Sequence, residues 1–414
     1  MNINLKMATV SFLKESQDTN TNKYKSNKLC LTSKQAKQEN KENIPRLVNK
    51  KRRRSNTPET KYLEGNDKFD FSKKENLIAY IKKGCEEFNK KFVIDESLKV
   101  GGSGIVYKGH LFNKPNKLII SKFLMHNVIN IKKKNYKKEL EKNHHEVLIH
   151  SKLRHKNITE VYGYYKINAG SCIVMEYFKY GDIENFKKKL VRKLIFTESF
   201  LNYLTANILN ALKYIHKNKI IHMDIKPQNI LINEYLSIKL TDFSVSYSYN
   251  NTRNENDLIQ LPSVGTSFYM SPEVLDEKKS HIKAKDASKI DLYSLGVTLY
   301  VLAFYDYPYN LREINHKNYD RIRETVELNE LKFPEKCKKS KMFLNFIKNL
   351  LNKDLKDRYD ITQALNHPWI KGSKILLDEK EVLSNPEKFL ISLLADSNKE
   401  FNDYVNERKK FVFV

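Results

Sequence analysis

The stretch IIHMDIKPQNILI, from Ile220 to Ile232, constrains this chain more tightly than any other. Two apolar runs, Ile220-Ile221 and Ile230-Leu231-Ile232, bracket a polar loop in which Asp224, Lys226 and Asn229 stand at the spacing Asp-x-Lys-x-x-Asn. Short β-branched runs bounded by polar residues read as strands. Two such strands would pin the loop against a core and aim a carboxylate, a cation and an amide at one focus. Beyond them, KLTDFSVSY adds Asp242, with Phe243 to pack beneath it and Ser244 following.

That set of groups suits phosphoryl transfer to an alcohol. Such a reaction needs a carboxylate to orient the hydroxyl and take its proton, a cation near the moving phosphoryl, and oxygen ligands for Mg²⁺. Asp224, Lys226, and the pair Asn229 and Asp242 fit those needs in turn. Upstream, Lys122 ends the strand-like IISK, where a lysine can reach the α and β phosphates of a nucleotide. Glu146 lies in HHEVLIHSKLRHKNI, which reads as a helix, and is placed to hold Lys122 in its working position. Before both comes a cluster of Gly101, Gly102 and Gly104, followed by Val106 and Lys108. Glycines let the backbone approach phosphate oxygens and turn its amides toward them. Singly, Lys122 or Glu146 would read as a surface group; the shared order and context of all these residues carries the argument.

The surrounding pattern divides the chain. Residues 1–88 are rich in Lys, Asn, Ser, Thr and Gln with few clustered apolar positions, and read as a mostly disordered basic tail. The run KKRRR, Lys50 to Arg54, suits a nuclear import receptor or a polyanion, against the ordinary reading of a solvated tail. KEN occurs at Lys41-Glu42-Asn43 and at Lys74-Glu75-Asn76, resembling a degradation signal that chance could also supply in so Lys- and Asn-rich a chain. From Phe92 the character changes. FVIDESLKV and GIVYKGHL read as two strands joined by a Gly turn, KLIISKFL as a third, and ITEVYGYYKI and SCIVMEYF as two more after a helix over about 135–153. After Gly181 the pattern turns helical, with Leu201, Leu204, Ile208, Leu212 and Ile215 on one face. The expected class is therefore α+β: a small strand-rich lobe over about 92–175 and a larger helical lobe over about 179–370. Residues 371–414 form a tail with a helix expected from about Pro386, more apt to pack on its own domain than to dock a partner.

Composition narrows the partners. The formal charge of +26 invites nucleic acid. Most of it, however, is Lys spread along the chain among abundant Asn, Ile and Tyr, a mixture that an AT-rich genome also produces, and no aromatic platform or DNA-reading motif accompanies it. The cysteines, Cys30, Cys85, Cys172 and Cys337, form no Cys-x-x-Cys pair, so neither zinc nor a disulfide framework is suggested. The opening MNINLKMATVSFLKESQ lacks the apolar core of a signal peptide. Both point to cytoplasm or nucleus. The most apolar run, Leu292 to Phe304, falls short of the roughly 20 residues needed to cross a bilayer and reads as a buried helix.

Over about Phe92 to Ile370 the sequence resembles the eukaryotic protein kinases. VGGSGIVYKG is similar to their Gly-rich loop, IISK to the strand-three lysine motif, and HMDIKPQN and DFS to the catalytic and metal-binding loops. VGTSFYMSPEVL looks like the end of an activation segment, and KIDLYSLGVTLY like the central helix. The resemblance implies a two-lobed fold, ATP and Mg²⁺ as cofactors, and protein substrates. It implies that Lys99, Val100, Gly101, Gly102, Ser103, Gly104 and Val106 border the nucleotide. Met175 would be the gatekeeper, Glu176, Tyr177 and Phe178 the hinge, and Asp182 the ribose partner. Asp291 would steady the catalytic loop, Arg358 would pair with Glu273, and Lys226 with Thr266 points to Ser/Thr acceptors. The helix around Glu146 is most like that of aurora-type kinases, without settling a subfamily. Gln228 stands where kinases preferring basic substrates often carry Glu.

Three positions depart from the family pattern. Lys99 replaces the first Gly of the Gly-rich motif and should alter nucleotide affinity without abolishing it. Ser244 replaces the Gly after Asp-Phe, and its Cβ restricts the loop's backbone angles, which should hinder an inward-outward flip of Phe243. Met223 replaces the Arg before the catalytic Asp, which in the family binds a phosphorylated residue on the activation segment. Activity is then expected not to depend on phosphate acting through that position. The competing readings are a non-catalytic scaffold, suggested by these departures, and a nucleic-acid-associated protein, suggested by charge and KKRRR alone. The retained Lys122, Glu146, Asp224, Asn229 and Asp242 favour an active Ser/Thr kinase.

Overall fold

The computed structural model describes residues 86–101, 104–125, 145–167, 170–190, 196–233, 235–276, 281–335 and 337–372. The KKRRR and KEN motifs, the C-terminal helix, Gly102 and Ser103 lie outside these.

The first part is a five-stranded antiparallel sheet in the order β1-β2-β3-β5-β4. Its strands are β1 (Phe92–Gly101), β2 (Gly104–Leu111), β3 (Lys114–Met125), β4 (Val161–Ile167) and β5 (Gly170–Glu176). Alternation along β2 buries Ile105 and Tyr107 and leaves Val106 and Lys108 half-buried, the period-two pattern of a strand with one covered face. Phe88, Phe92, Tyr107, Phe123 and Tyr165 share that core. Phe88 meets Tyr165 edge-on at 5.6 Å and Tyr107 meets Phe123 edge-on at 5.9 Å, a geometry that favours aromatic pairs beyond the area they bury.

Phe88 lies at the end of the stretch read as a mostly disordered tail. It sits on a short helical turn, Glu86–Asn89, and is only 1% exposed, so the packing of the sheet reaches back to it. The helix expected over 135–153 is seen as α1 at 145–150; residues 126–144 lie outside the description.

The larger lobe is helical. It contains α2 (Ile183–Leu190), α3 (Glu198–Lys217), α4 (Ser288–Phe304), α5 (Tyr319–Leu328) and α6 (Lys341–Leu350). Thr197 caps α3 by accepting the Phe200 N–H at 3.2 Å. Leu201, Leu204, Ile208, Leu212 and Ile215 are all fully buried, each contributing roughly 1.5–3 kcal/mol of burial. Helix α4 is apolar all round and buried nearly throughout, the pattern of a central core helix. With the turn before it, the apolar segment extends to Ala284–Phe304, long enough to cross a membrane by length and composition, but it is buried inside this lobe.

Short strand pairs carry the loops between the lobes. These strands are β6 (Ile220–Ile221), β7 (Ile230–Ile232), β8 (Ile238–Leu240) and β9 (Tyr247–Ser248). They pair as β6 with β9 and β7 with β8. The Thr159 N–H donates to the Leu240 carbonyl at 3.0 Å, and the Leu240 N–H to the Asn157 carbonyl at 2.8 Å. These bonds stitch the approach to β4 onto the strand that leads into Asp242.

Candidate active site

The loop between β6 and β7 is shaped by Asp291 on α4. Its carboxylate accepts the N–H groups of His222 and Met223, each at 2.9 Å, and lies 2.8 Å from Nε2 of His216. Met223 has φ of 69°, a conformation that a non-glycine residue holds only where its surroundings impose it. Gly265 packs against it so closely that a Cβ there would lie 2.4 Å from the Met223 carbonyl oxygen. This bend presents Asp224.

Both Asp224 oxygens are engaged. Oδ1 accepts the Thr266 hydroxyl at 2.7 Å and the Thr266 N–H at 2.9 Å. Oδ2 accepts Nδ2 of Asn229 at 2.9 Å and lies 2.7 Å from Nζ of Lys226. Lys226 in turn donates to Oγ1 of Thr266 at 2.6 Å. Asn229 also donates to the Asp224 carbonyl at 2.8 Å, leaving its amide oxygen to face elsewhere. The Thr241 N–H donates to the Asn229 carbonyl at 3.0 Å, which brings Asp242 beside Asn229.

Asp242 and Glu146 converge on one lysine. Nζ of Lys122 is 2.9 Å from Oε1 of Glu146 and 3.0 Å from Oδ1 of Asp242. Burial disfavours charge on Lys122, but the two carboxylates outweigh it and raise its pKa above the usual lysine value. Burial likewise works against ionised Asp242. Lys122 and the nearby Ser244 hydroxyl nonetheless hold the carboxyl well below the usual carboxylate range. The site thus keeps a cation in contact with two carboxylates.

Phe243 lies beneath, between two imidazoles. The His222 ring is 4.9 Å from it and the His150 ring 4.7 Å, centroid to centroid. Nε2 of His222 faces the Thr241 carbonyl at 3.0 Å, so its Nδ1 accepts the Asp224 N–H at 3.3 Å. Nε2 of His150 faces the Thr159 carbonyl at 2.9 Å. Burial pushes the pKa of His150 down to about 4 and lowers that of His222 as well. Both rings are neutral packing groups at neutral pH.

The remaining expected residues fall around this centre. Gly104 has φ of 117°, and a Cβ there would lie 2.3 Å from the Phe123 carbonyl oxygen, so that turn requires glycine. Lys99 is exposed on β1 opposite Val106, and Val100 and Gly101 continue the strand. Met175 and Phe178 are buried. Glu176 is bound to Nζ of Lys239 at 2.6 Å. Arg358 is fully buried, with Nη2 3.1 Å from Oε2 of Glu273 and its guanidinium 4.9 Å from the Tyr293 ring centroid. Asp182 caps α2: its Oδ1 accepts the Asn185 N–H at 2.8 Å and its Oδ2 accepts Nδ2 of Asn185 at 2.7 Å.

Three contributors were not singled out from sequence. His150 follows Glu146 by one helical turn, and that spacing alone could have placed it on the same face. Lys239 lies on β8 between buried neighbours, and its pairing with Glu176 is not local in sequence. The Ser244 hydroxyl was read only for its Cβ, although a hydroxyl two positions after an aspartate is a ready local donor.

Known proteins were compared with this chain. The protein kinase domain family matches residues 92–370. Calcium-dependent protein kinase 6 of Plasmodium berghei is 30% identical over 278 residues, covering 66% of this chain and 17% of that protein. Serine/threonine-protein kinase dst2 of Dictyostelium discoideum is 28% identical over 324 residues, covering 77% of this chain and 26% of that protein. Serine/threonine-protein kinase Aurora-2 of Arabidopsis thaliana is 33% identical over 226 residues, covering 54% of this chain and 72% of that protein. The chain therefore spans only 17% and 26% of the length of the first two relatives, and identities this close single out no subfamily.

Proposed function

The chain belongs to the protein kinase family, and from that premise we propose that it is a serine/threonine protein kinase, transferring the γ-phosphoryl of ATP, with Mg²⁺, to protein hydroxyls. The observation that carries this is the convergence of Lys122, Glu146 and Asp242 in one ion-pair cluster beside the Asp224–Lys226–Asn229 loop.

The donor set fits the implied ion. Mg²⁺ prefers hard oxygen ligands and commonly takes one or two from protein and the rest from phosphates and water. The ionised Asp242 carboxylate and the Asn229 amide oxygen would hold it, and the ion would neutralise charge on the phosphates. Lys122, kept in place by Glu146, would bind phosphate oxygens. Asp224 already accepts an alcohol O–H from Thr266; in the reaction it would orient the substrate hydroxyl and take its proton. Lys226 would offset the charge that develops on the transferred group.

Met223 does not remove any of these groups. It is 3% exposed and belongs to the core of the large lobe. Activity then does not depend on activation-segment phosphate acting through residue 223.

The test is phosphate transfer from Mg-ATP to a generic basic protein, with Asp224→Asn as the control. Wild type should exceed the control by at least about a hundredfold, the usual worth of a positioned base. Wild type no better than the control would favour the scaffold reading.

A further inference from the structure

The chain from Asp242 to Glu273 is held at several places, and none of them uses a cation at residue 223. Near its start β9 pairs with β6, and Nε2 of His145 lies 2.7 Å from the Ser246 carbonyl. Further on, the Tyr249 N–H donates to the Lys219 carbonyl at 3.0 Å, and Lys219 Nζ donates to the Thr252 carbonyl at 2.7 Å. The Asp257 carboxylate then closes a turn by accepting the N–H groups of Arg253 at 2.6 Å and Asn254 at 3.1 Å.

The last hold is a two-stranded antiparallel ladder between β10 (Leu258–Gln260) and β11 (His281–Lys283). Its register pairs Leu258 with Lys283, Ile259 with Ile282, and Gln260 with His281. Backbone bonds continue beyond it: the Ala284 N–H donates to the Asp257 carbonyl and the Lys285 N–H to the Glu255 carbonyl, both at 2.9 Å. Ile259 is 4% exposed and Ile282 5%, and both join the core of the large lobe, while their neighbours on the strands face solvent. A one-residue slip of either strand would turn its isoleucine to solvent, so the register is fixed by burial.

We propose that this ladder is the latch that orders the activation segment, so that the segment takes its working form without phosphate. The proposal rests on the kinase reading above. An ordering phosphate acts by gathering charge-assisted hydrogen bonds from a cation such as arginine. Met223 has no such donor and is turned into the core. The ladder supplies backbone hydrogen bonds and apolar burial instead. It ends at Gln260, five residues before Gly265 and six before Thr266, and Leu261 directly after it is buried as well. Fixing Gln260 thus limits where Gly265 can seat against Met223 and where Thr266 can meet Asp224.

The experiment uses the full chain stripped of phosphate with a phosphatase. Wild type should keep its transfer activity and slow amide exchange at Ile259, Ile282 and Ala284, whose N–H groups bond across the ladder. Ile282→Asn puts a polar group opposite Ile259. It should lose that protection and about tenfold in transfer rate, as expected when the ordered form falls to a tenth of the population. A staple separates this from general misfolding. Because the Ala284 N–H bonds the Asp257 carbonyl, Leu258 and Lys283 form a non-hydrogen-bonded pair, with Cα atoms about 4.5 Å apart. That lies within disulfide reach. Adding Leu258→Cys and Lys283→Cys to Ile282→Asn should restore activity when oxidised and lose it again on reduction. The latch is overturned if dephosphorylated wild type lacks protection at Ile259, Ile282 and Ala284. It is also overturned if Ile282→Asn loses protection with unchanged transfer, or if the oxidised staple restores nothing. Failure of the kinase reading is seen separately, as wild type that transfers no more phosphate than Asp224→Asn.

Discussion

The Thr266 hydroxyl donates to Oδ1 of Asp224 at 2.7 Å while accepting from Lys226 Nζ at 2.6 Å. One side chain on the returning segment therefore joins the two charged groups of the loop. Thr266→Val keeps the shape and removes that link, leaving both partners a hydrogen bond short in a half-buried site. We expect kcat to fall about ten- to a hundredfold, from 1–3 kcal/mol of lost interaction, with KM for ATP little changed. Thr266→Ser should stay within a few-fold of wild type. Steady-state kinetics of the two variants check this, and equal losses in both would sink it.

Lys122 is the shared cation of two carboxylates, so its loss should cost more than the loss of either partner. Lys122→Met leaves Asp242 and Glu146 buried together without a counter-charge, and the Asp242 carboxyl should rise from its depressed position. Both the phosphate contact and the ionised metal ligand are then compromised. Mg-ATP should raise the Tm of wild type through mass action but not that of Lys122→Met. Glu146→Gln, which keeps an oxygen acceptor, should lose less activity than Glu146→Ala. A Lys122→Met protein with the wild-type Mg-ATP shift would contradict the assigned role.

His150 gives stability a definite pH slope. Its folded pKa of about 4 lies below the unfolded value near 6.5. Between those values the unfolded chain takes up a proton that the folded chain refuses. Stability is therefore undiminished above pH 6.5, falls as pH drops toward 4, and loses up to about 3 kcal/mol from this group. His222, whose pKa burial also lowers, adds loss in the same direction. His150→Leu should remove its share of the slope, at a pH-independent cost of about 1 kcal/mol for the lost bond to the Thr159 carbonyl. Urea melts of both proteins from pH 4.5 to 7.5 measure this; parallel pH curves would refute it.

Much of the candidate site is local in sequence, and those parts were legible. Asp224, Lys226 and Asn229 sit in one loop between apolar flanks, and the flanks do form strands. Asp242 and Phe243 follow a short strand at close range. The Lys122–Glu146 pairing was foreseeable only because a strand and a helix each offered one charge in an apolar context. What stayed hidden depends on contacts between distant segments. LIQ at Leu258–Gln260 is too short to declare itself a strand, and its partner HIK lies some 20 residues on with no pattern linking the two. The pairing of short strands is decided by burial of facing residues, here Ile259 and Ile282, and not by propensity.

Ser244 is the departure on which the structure adds most. It lies outside the positive-φ region that favours glycine, so its Cβ is unstrained with Phe243 packed between His150 and His222. Its hydroxyl also helps hold the Asp242 carboxyl low, after Lys122. Both features favour the arrangement in which Asp242 faces Lys122 and Phe243 stays buried. An inverted arrangement would take the carboxylate from the hydroxyl and ask new backbone angles of a residue with a side chain. Ser244→Gly removes both obstacles and gives the unfolded chain more freedom, so it should lower stability by a few tenths to 1 kcal/mol. It should also tighten binding of an inhibitor selective for the outward Phe243 arrangement by about tenfold, since a differential of roughly 1.4 kcal/mol between the two forms is removed. Ser244→Ala keeps the Cβ but not the hydroxyl and should fall between the two. Isothermal titration with such an inhibitor decides the matter: tight binding to wild type, equal to that of Ser244→Gly, would show that Ser244 holds nothing in place.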